Sequence, residues 1–425
     1  MKTALAALTA AVLLGTASAT DLRIYQNFGE VRDTAAVQQG RVTVSLPINL
    51  YGSILPDSLD LDGVNVTSRS LVQQANWLAT LEGQPVTLLE DGKRERVTLV
   101  RARDLLIKDA QGQYRTVPAE RLAFDQVPPE NPLSPSWLAS FTVAGSGTPT
   151  LTYLTRALSW TPRYTLKLSG SAASLSALAD LRNGSDQPFN VSAAELYAGD
   201  VPLENGQPMP APYARAEMAA PVAADSMGVP KVSSQGELRG LYRYGLQGAF
   251  TLPANGSVSL PFLNPKVSSF ERYGVLERGF SAGGDQGNLD RGYRLKTDTE
   301  LPGGPVTVRE DGRLVGQVSV DTTPAGTALE LDLGTDPDLT YTRSAVSSKV
   351  AGGTAIRVTY TFQNAKDRPV RFEVTEQGLS SRAALTGQAT RTATNGLLVR
   401  VDVPAKQGTT PGKLVQTFTV TVPAN

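Results

Sequence analysis

Chemistry in this chain has to be done without the two side chains that do most of it, because the sequence contains no histidine and no cysteine. That removes the usual general base, the commonest transition-metal ligand, any ordinary zinc site and any disulfide. Four groups of residues remain whose types and spacing suggest a site. Asp60, Asp62 and Asn65 resemble a fragment of a calcium loop without its distal glutamate, and Asp332, Asp336 and Asp338 form a second acidic cluster, interrupted by Pro337. Ser347, Ser348 and Lys349 are the residue types of a serine-lysine hydrolase, but the glycine context of a nucleophile elbow is missing. Met209, Met218 and Met227 recur evenly, and thioether sulfurs bind Cu(I). In the first two groups turn chemistry is the simpler reading, and closing a copper site over three distant methionines costs loop entropy. The expectation is therefore no catalytic residue, no cofactor and no metal. Trp137, Tyr242 and Tyr244 are candidates for a small glycan-binding surface, although aromatic residues make up only 6% of the chain.

The elements that must position these residues read as strands. In 151–168 apolar and polar residues alternate on both sides of a break at Pro162, predicting two half-buried strands and a corner, with Trp160, Tyr164, Leu166 and Leu168 on one buried face. Short alternating runs from Asp21 predict three more strands, and Asp62-Gly63 predicts a tight hairpin between Leu61 and Val64. Leu71, Ala75, Leu78 and Leu81 fall at helical spacing, predicting one short amphipathic helix over 71–81. Residues 84–124 predict closely spaced strands in a small barrel-like unit. From Leu241 onward strands are predicted at 257–262, 304–309, 313–320, 329–333, 396–403 and 414–422, with a turn at Glu310-Asp311-Gly312.

One pattern occurs twice. A strand ending in Asn183 runs into Gly-Ser-Asp-Gln-Pro-Phe, and a strand ending in Asn364 runs into Ala-Lys-Asp-Arg-Pro-Val. Asn and Asp bond their own turn backbone and Pro fixes its φ, so the spacing makes sense as a loop and suggests two related β-sandwich units.

The fold expected is all-β: a multi-domain chain of antiparallel β-sandwich or barrel-like units with one short helix. Residues 1–19 read as a secretory signal, with Lys2, an apolar run and the ending Ala17-Ser18-Ala19. An N-terminal β domain is expected over 20–127, a proline-rich linker over 128–136, and a C-terminal β-sandwich region over 137–425 with a mobile insertion at 202–236. No stretch approaches the roughly twenty apolar residues of a transmembrane helix. Lys+Arg and Asp+Glu are equal at 40 each, which excludes nucleic acid as a main partner.

The opening from Ile24-Tyr25 through Gly40, the segment Trp160-Thr161-Pro162-Arg163-Tyr164, the run Leu301-Pro302-Gly303-Gly304-Pro305-Val306 through Gly316 and the turn Leu333-Gly334-Thr335-Asp336 together resemble the mucoidy-inhibitor-A-like exported proteins, which carry a C-terminal domain of unknown function. The resemblance implies a β fold and an exported location, periplasmic, cell-envelope or secreted, and no catalytic residues. Many relatives insert a long coiled coil where this chain has only 71–81. The function expected is a non-enzymatic envelope protein that binds an envelope protein or glycan or serves structurally; the alternatives are a carboxylate-based glycoside hydrolase or a small glycan-binding module.

Overall fold

The structure is a computed structural model describing residues 20–74, 76–90, 92–128, 135–203 and 230–424. The proline-rich stretch 129–134, most of the expected insertion at 202–236 and all three of Met209, Met218 and Met227 lie outside the described residues. The fold is all-β, with several mainly antiparallel sheets and, among the described residues, a single α-helix, Ile48–Ser53. The chain forms two compact units, 1–161 with 179–261, and 162–178 with 262–425. The division falls within two long strands, Leu158–Ser169 and Ala172–Asn183.

The first unit is built on an eight-stranded sheet in which Thr20–Tyr25 lies between Gly29–Thr34, its antiparallel hairpin partner, and Phe189–Ala198, to which it pairs in parallel. Residues 85–123 make a five-stranded sheet in which the last strand, Leu122–Ala123, returns to pair with the first, Pro85–Glu90, while Leu122–Ala123 and Tyr114–Thr116 do not pair with each other among the described residues, so the barrel-like ring of strands stays open at one seam. Val86, Leu88, Val97, Leu99 and Ile107 of this sheet pack with Leu78 in one buried cluster.

Two local expectations fail in this unit. The helix expected over 71–81 is half strand: Asn65–Gln74 pairs residue by residue with Ser136–Ala144, and only Trp77–Leu81 turns, as a 3-10 segment whose start is capped by Asn76 Oδ1 accepting from the Ala79 N–H at 3.1 Å. A long ladder of backbone pairing, broken by one register shift at Thr67, outweighs a weak helical spacing in a stretch with Val66, Thr67 and Val72, which favour extended backbone. The Asp62-Gly63 turn is not a hairpin either, because Asp60–Asp62 pairs with Thr150–Thr155 and Asn65–Gln74 belongs to another sheet. It carries the chain from one sheet to the next.

The second unit holds a nine-stranded sheet containing Val267–Gly279, Asp285–Thr297, Leu329–Val350, Gly353–Asn364 and Val370–Gln377. Along Gly353–Asn364 buried and open positions alternate, as the pattern Ile356, Val358, Tyr360, Phe362 requires, and these four side chains pack with Phe372, Val374, Phe418 and Val420. Asp311 and Gly312 both adopt positive φ and join Gly304–Glu310 to Arg313–Val320 as a two-residue hairpin, which glycine permits without strain. The corner expected at Trp160-Thr161-Pro162 lies elsewhere: the chain turns at Arg156-Ala157 and runs straight through Pro162 in the strand Leu158–Ser169. The parallel ladder to Gly304–Glu310 begins only at Tyr164, so the missing N–H of Pro162 falls just before it. A Cβ at Gly304 would collide with the Pro162 carbonyl, and Tyr164 Oη donates to the Pro302 carbonyl at 2.9 Å. Two of the motifs singled out in the sequence thus pack on each other. Trp160 is fully buried, with Nε1 donating to the Tyr197 carbonyl at 2.9 Å and its ring edge-on to Tyr244.

The repeated Asn loops are built alike. Leu158–Ser169 and Ala172–Asn183 are neighbouring strands joined by two residues, as are 339–350 and Gly353–Asn364. The strands ending in the two asparagines show the same alternation of buried and open positions over their last nine residues. Asn183 Nδ2 donates to the carbonyls of Gln187 (2.7 Å) and Pro253 (3.0 Å), and its Oδ1 accepts from Ser185 N–H at 3.0 Å. Asn364 Nδ2 donates to the carbonyls of Arg368 (2.8 Å) and Pro404 (3.0 Å), and its Oδ1 accepts from Lys366 N–H at 3.0 Å. Both asparagines are buried, and each satisfies loop backbone that its own strand leaves unpaired.

Candidate functional site

In the second unit the Asn364 loop forms one wall of a cleft of about 320 Å³. The side chains that give the cleft its chemistry are Arg272, Arg291, Lys366 and Arg368 against Glu310 and Asp336, four cations to two carboxylates. Each comes from a defined place. Arg272 lies on Val267–Gly279 and Arg291 on the adjacent Asp285–Thr297, while Glu310 ends Gly304–Glu310 at the Asp311-Gly312 hairpin. Lys366 and Arg368 bracket the exposed Asp367 in the loop, and the Asn364 amide holds the backbone of both.

The two carboxylates are already engaged. Glu310 Oε1 lies 2.8 Å from Arg272 Nη2, and its Oε2 accepts from Tyr293 Oη at 2.6 Å. Burial first, and then the hydrogen bond to Glu310, pushes the Tyr293 hydroxyl up to about 12. Asp336, only 3% exposed, is 2.9 Å from Lys366 Nζ, and its Oδ1 accepts from the Asp338 N–H. The remaining cations have no carboxylate among the described residues. Arg291 donates to backbone, from Nη2 to the Leu333 carbonyl at 2.9 Å and from Nε to that of Gly334 at 3.5 Å. Arg368 is exposed and makes no ion pair or side-chain hydrogen bond among the described residues. Arg272 Nε is closed off from solvent without an acceptor, and its guanidinium lies over the Phe270 ring at 4.8 Å. An excess of two positive charges in a concave, partly desolvated place attracts anions, and guanidinium groups suit a planar carboxylate or a phosphate.

A second depression, on the 85–123 sheet, is lined by Arg94, Glu95, Arg96 and Asp125. Its charges balance, and Arg96 is spent on Asp125 through contacts of 3.0 Å to 3.1 Å.

The residues singled out from sequence are placed as follows. Asp336 lines the cleft, but the space a calcium ion would share between Asp336 and Asp338 is taken by Lys366 Nζ, at 2.9 Å and 3.3 Å, while Asp332 Oδ1 accepts from the Gly334 N–H. Asp60 Oδ1 accepts from its neighbour Leu61 N–H, and Asp62 pairs with Arg32 at 3.0 Å, so this trio is turn and ion-pair chemistry. Ser347, Ser348 and Lys349 are exposed near the tip of the strand Leu329–Val350, with Ser348 Oγ donating to the Ala355 carbonyl at 3.5 Å, and no elbow is formed. Tyr244 is fully buried, Tyr242 is half-buried, and Trp137 packs on Tyr51 at 4.8 Å; these three do not form an open row of rings. Sequence reasoning missed Arg272, Arg291 and Glu310. They lie far apart in the chain on ordinary strands, and the one local sign was the pair of cations inside the second Asn loop.

No protein-family model, curated protein or solved structure matches the chain.

Proposed function

We propose that this is an exported, non-enzymatic envelope protein whose second unit holds an acidic glycan or another carboxylate-bearing envelope component in the Arg272–Arg291–Arg368 cleft. The observation that carries the reading is the pair of guanidinium groups, Arg291 and Arg368, that have no carboxylate among the described residues while the other two cations are paired. A uronate carboxylate bridging them would offset one of the two excess charges of the cleft, and a second carboxylate of the same chain the other. Export is supported by the sequence of residues 1–19 and by the likeness to the mucoidy-inhibitor-A-like proteins. A glycoside hydrolase needs one carboxyl free to carry a proton and a second free to attack or activate water. Glu310 and Asp336 are both committed to cations, which favours binding over hydrolysis.

Calorimetric titration with an oligouronate, beside a neutral oligosaccharide of equal length, tests this. Binding of the acidic chain alone, weakening with salt and lost in Arg291→Ala/Arg368→Ala, is the expected result. Equal affinity for both sugars, or no loss in the double variant, refutes it.

A further inference from the structure

A carboxylate in the first unit has one oxygen without a partner among the described residues. Asp33 lies near the end of the strand Gly29–Thr34, and its Oδ1 is shut off from solvent with no hydrogen-bond donor. The antiparallel ladder with Thr20–Tyr25 pairs Asp21 with Arg32 and Leu22 with Val31. Carrying that register one step further sets Thr20 opposite Asp33. On its other side Asp33 is opposite Leu151, and its nearest titratable neighbours are Asp21 on the first strand and Tyr153 on Thr150–Thr155. Neither can neutralise it. Thr20 itself is only 6% exposed and is held in parallel register against Val191, with Ser192 Oγ bonding both the Thr20 carbonyl (3.3 Å) and Asp21 Oδ1 (2.7 Å). Burial, the largest influence, holds the Asp33 carboxyl above the ordinary aspartate range although a hydrogen bond from the Thr20 side chain pulls it down, as befits a desolvated carboxylate without a counter-ion.

The residue facing this orphan is the one that the small-residue ending Ala17-Ser18-Ala19 marks as the first of the mature chain. From the ladder and the unpartnered oxygen we infer that Asp33 is a socket for the new N-terminus: cleavage of the Ala19–Thr20 bond supplies the counter-ion that the carboxylate lacks. In that step a water molecule gives its hydroxyl to the Ala19 carbonyl carbon and a proton to the Thr20 nitrogen. The bond breaks, the new Ala19 carboxyl gives up its proton and leaves as a carboxylate, and the freed amine takes up that equivalent of proton to become an ammonium beside Asp33. Processing would then do more than release the protein, since it would lock the first strand into the centre of the eight-stranded sheet. This inference rests on the export reading.

The experiment measures the titration of the Thr20 α-amine, by labelling rate against pH, in a chain that begins at Thr20. Its ordinary value is about 7.7 to 8.0. The expected result is titration about one unit or more higher, falling back in Asp33→Asn but not in Asp21→Asn. An ordinary value in the parent, or one indifferent to Asp33→Asn, overturns the socket. Should Asp33→Asn fail to fold, the Asp33 carboxyl is followed by NMR in the parent chain with and without the Ala17-Ser18-Ala19 extension. A lower pKa in the chain that starts at Thr20 supports the proposal, and identical values overturn it. The mass of the protein secreted by a bacterial host separates the two readings: a first residue other than Thr20 overturns the proposal through export, whereas a correct start with an ordinary amine overturns it through Asp33.

Discussion

Arg343 and Glu376 are both fully buried and meet through two contacts, Nε to Oε1 at 2.7 Å and Nη2 to Oε2 at 3.0 Å. Tyr360 Oη donates to the same carboxylate, and Arg343 also donates to the carbonyls of Ser281 and Gly283. All three guanidinium nitrogens and both carboxylate oxygens of the pair are therefore engaged inside the core of the second unit. Removing one partner leaves an uncompensated buried charge, so Glu376→Ala is expected to cost about 3 to 5 kcal/mol. The double change Arg343→Met/Glu376→Leu should recover part of that loss, but not the carbonyl bonds. Urea unfolding of the two variants checks this, and a single variant as stable as the parent contradicts it.

Trp160→Ala removes the largest fully buried side chain and the donor to the Tyr197 carbonyl. A loss of about 3 to 5 kcal/mol is expected. Trp160→Phe keeps most of the packing and leaves the carbonyl unpaired, which should cost about 1 to 3 kcal/mol. An unchanged denaturation midpoint in the alanine variant would mean that the ring does not support the core.

Glu373 gives the protein an acid limb. Its burial pulls the carboxyl upward, but hydrogen bonds from Arg294 and Arg400 outweigh that and hold it below its ordinary value of 4.5. The native state thus favours the ionised form, so the contribution is complete above pH 4.5 and is lost as pH falls through the lower native value. Stability measured from pH 6 down to about pH 2 should fall more steeply in the parent than in Glu373→Gln. Parallel curves would show that the carboxylate is not linked to folding.

Asn364→Ala and Asn183→Ala make a matched pair. Each leaves buried loop carbonyls without a donor, at an expected cost of about 1 to 3 kcal/mol. Only Asn364→Ala should also weaken binding of an acidic oligosaccharide, because the backbone it releases carries Lys366 and Arg368. Equal binding losses in both variants would separate the cleft from this loop.

Much of the fold could be read from residue order. Period-two alternation placed Ile356, Val358, Tyr360 and Phe362 on one inner face, and Asp311-Gly312 marked a hairpin, because both signals act over a few neighbouring residues. The signal failed where a choice depended on distant partners. Leu71 belongs to a strand because Ser136–Ala144 lies beside it, and the corner near Trp160 straightens because Gly304–Glu310 lies alongside. The same reason hid the cleft. Arg272, Arg291 and Glu310 converge through strand pairings that span tens of residues, whereas the acidic and serine-lysine groups, obvious in the sequence, turned out to be turns, ion pairs and an exposed strand tip.

The two asparagine loops divide their work between residues that do not overlap. One buried amide in each fixes the path of the backbone, while the positions it holds carry Ser185 and Gln187 in one copy and Lys366 and Arg368 in the other. Form and charge can therefore drift independently: a lineage could alter which anion the second loop attracts, or silence it, by changing two side chains while inheriting an unaltered loop.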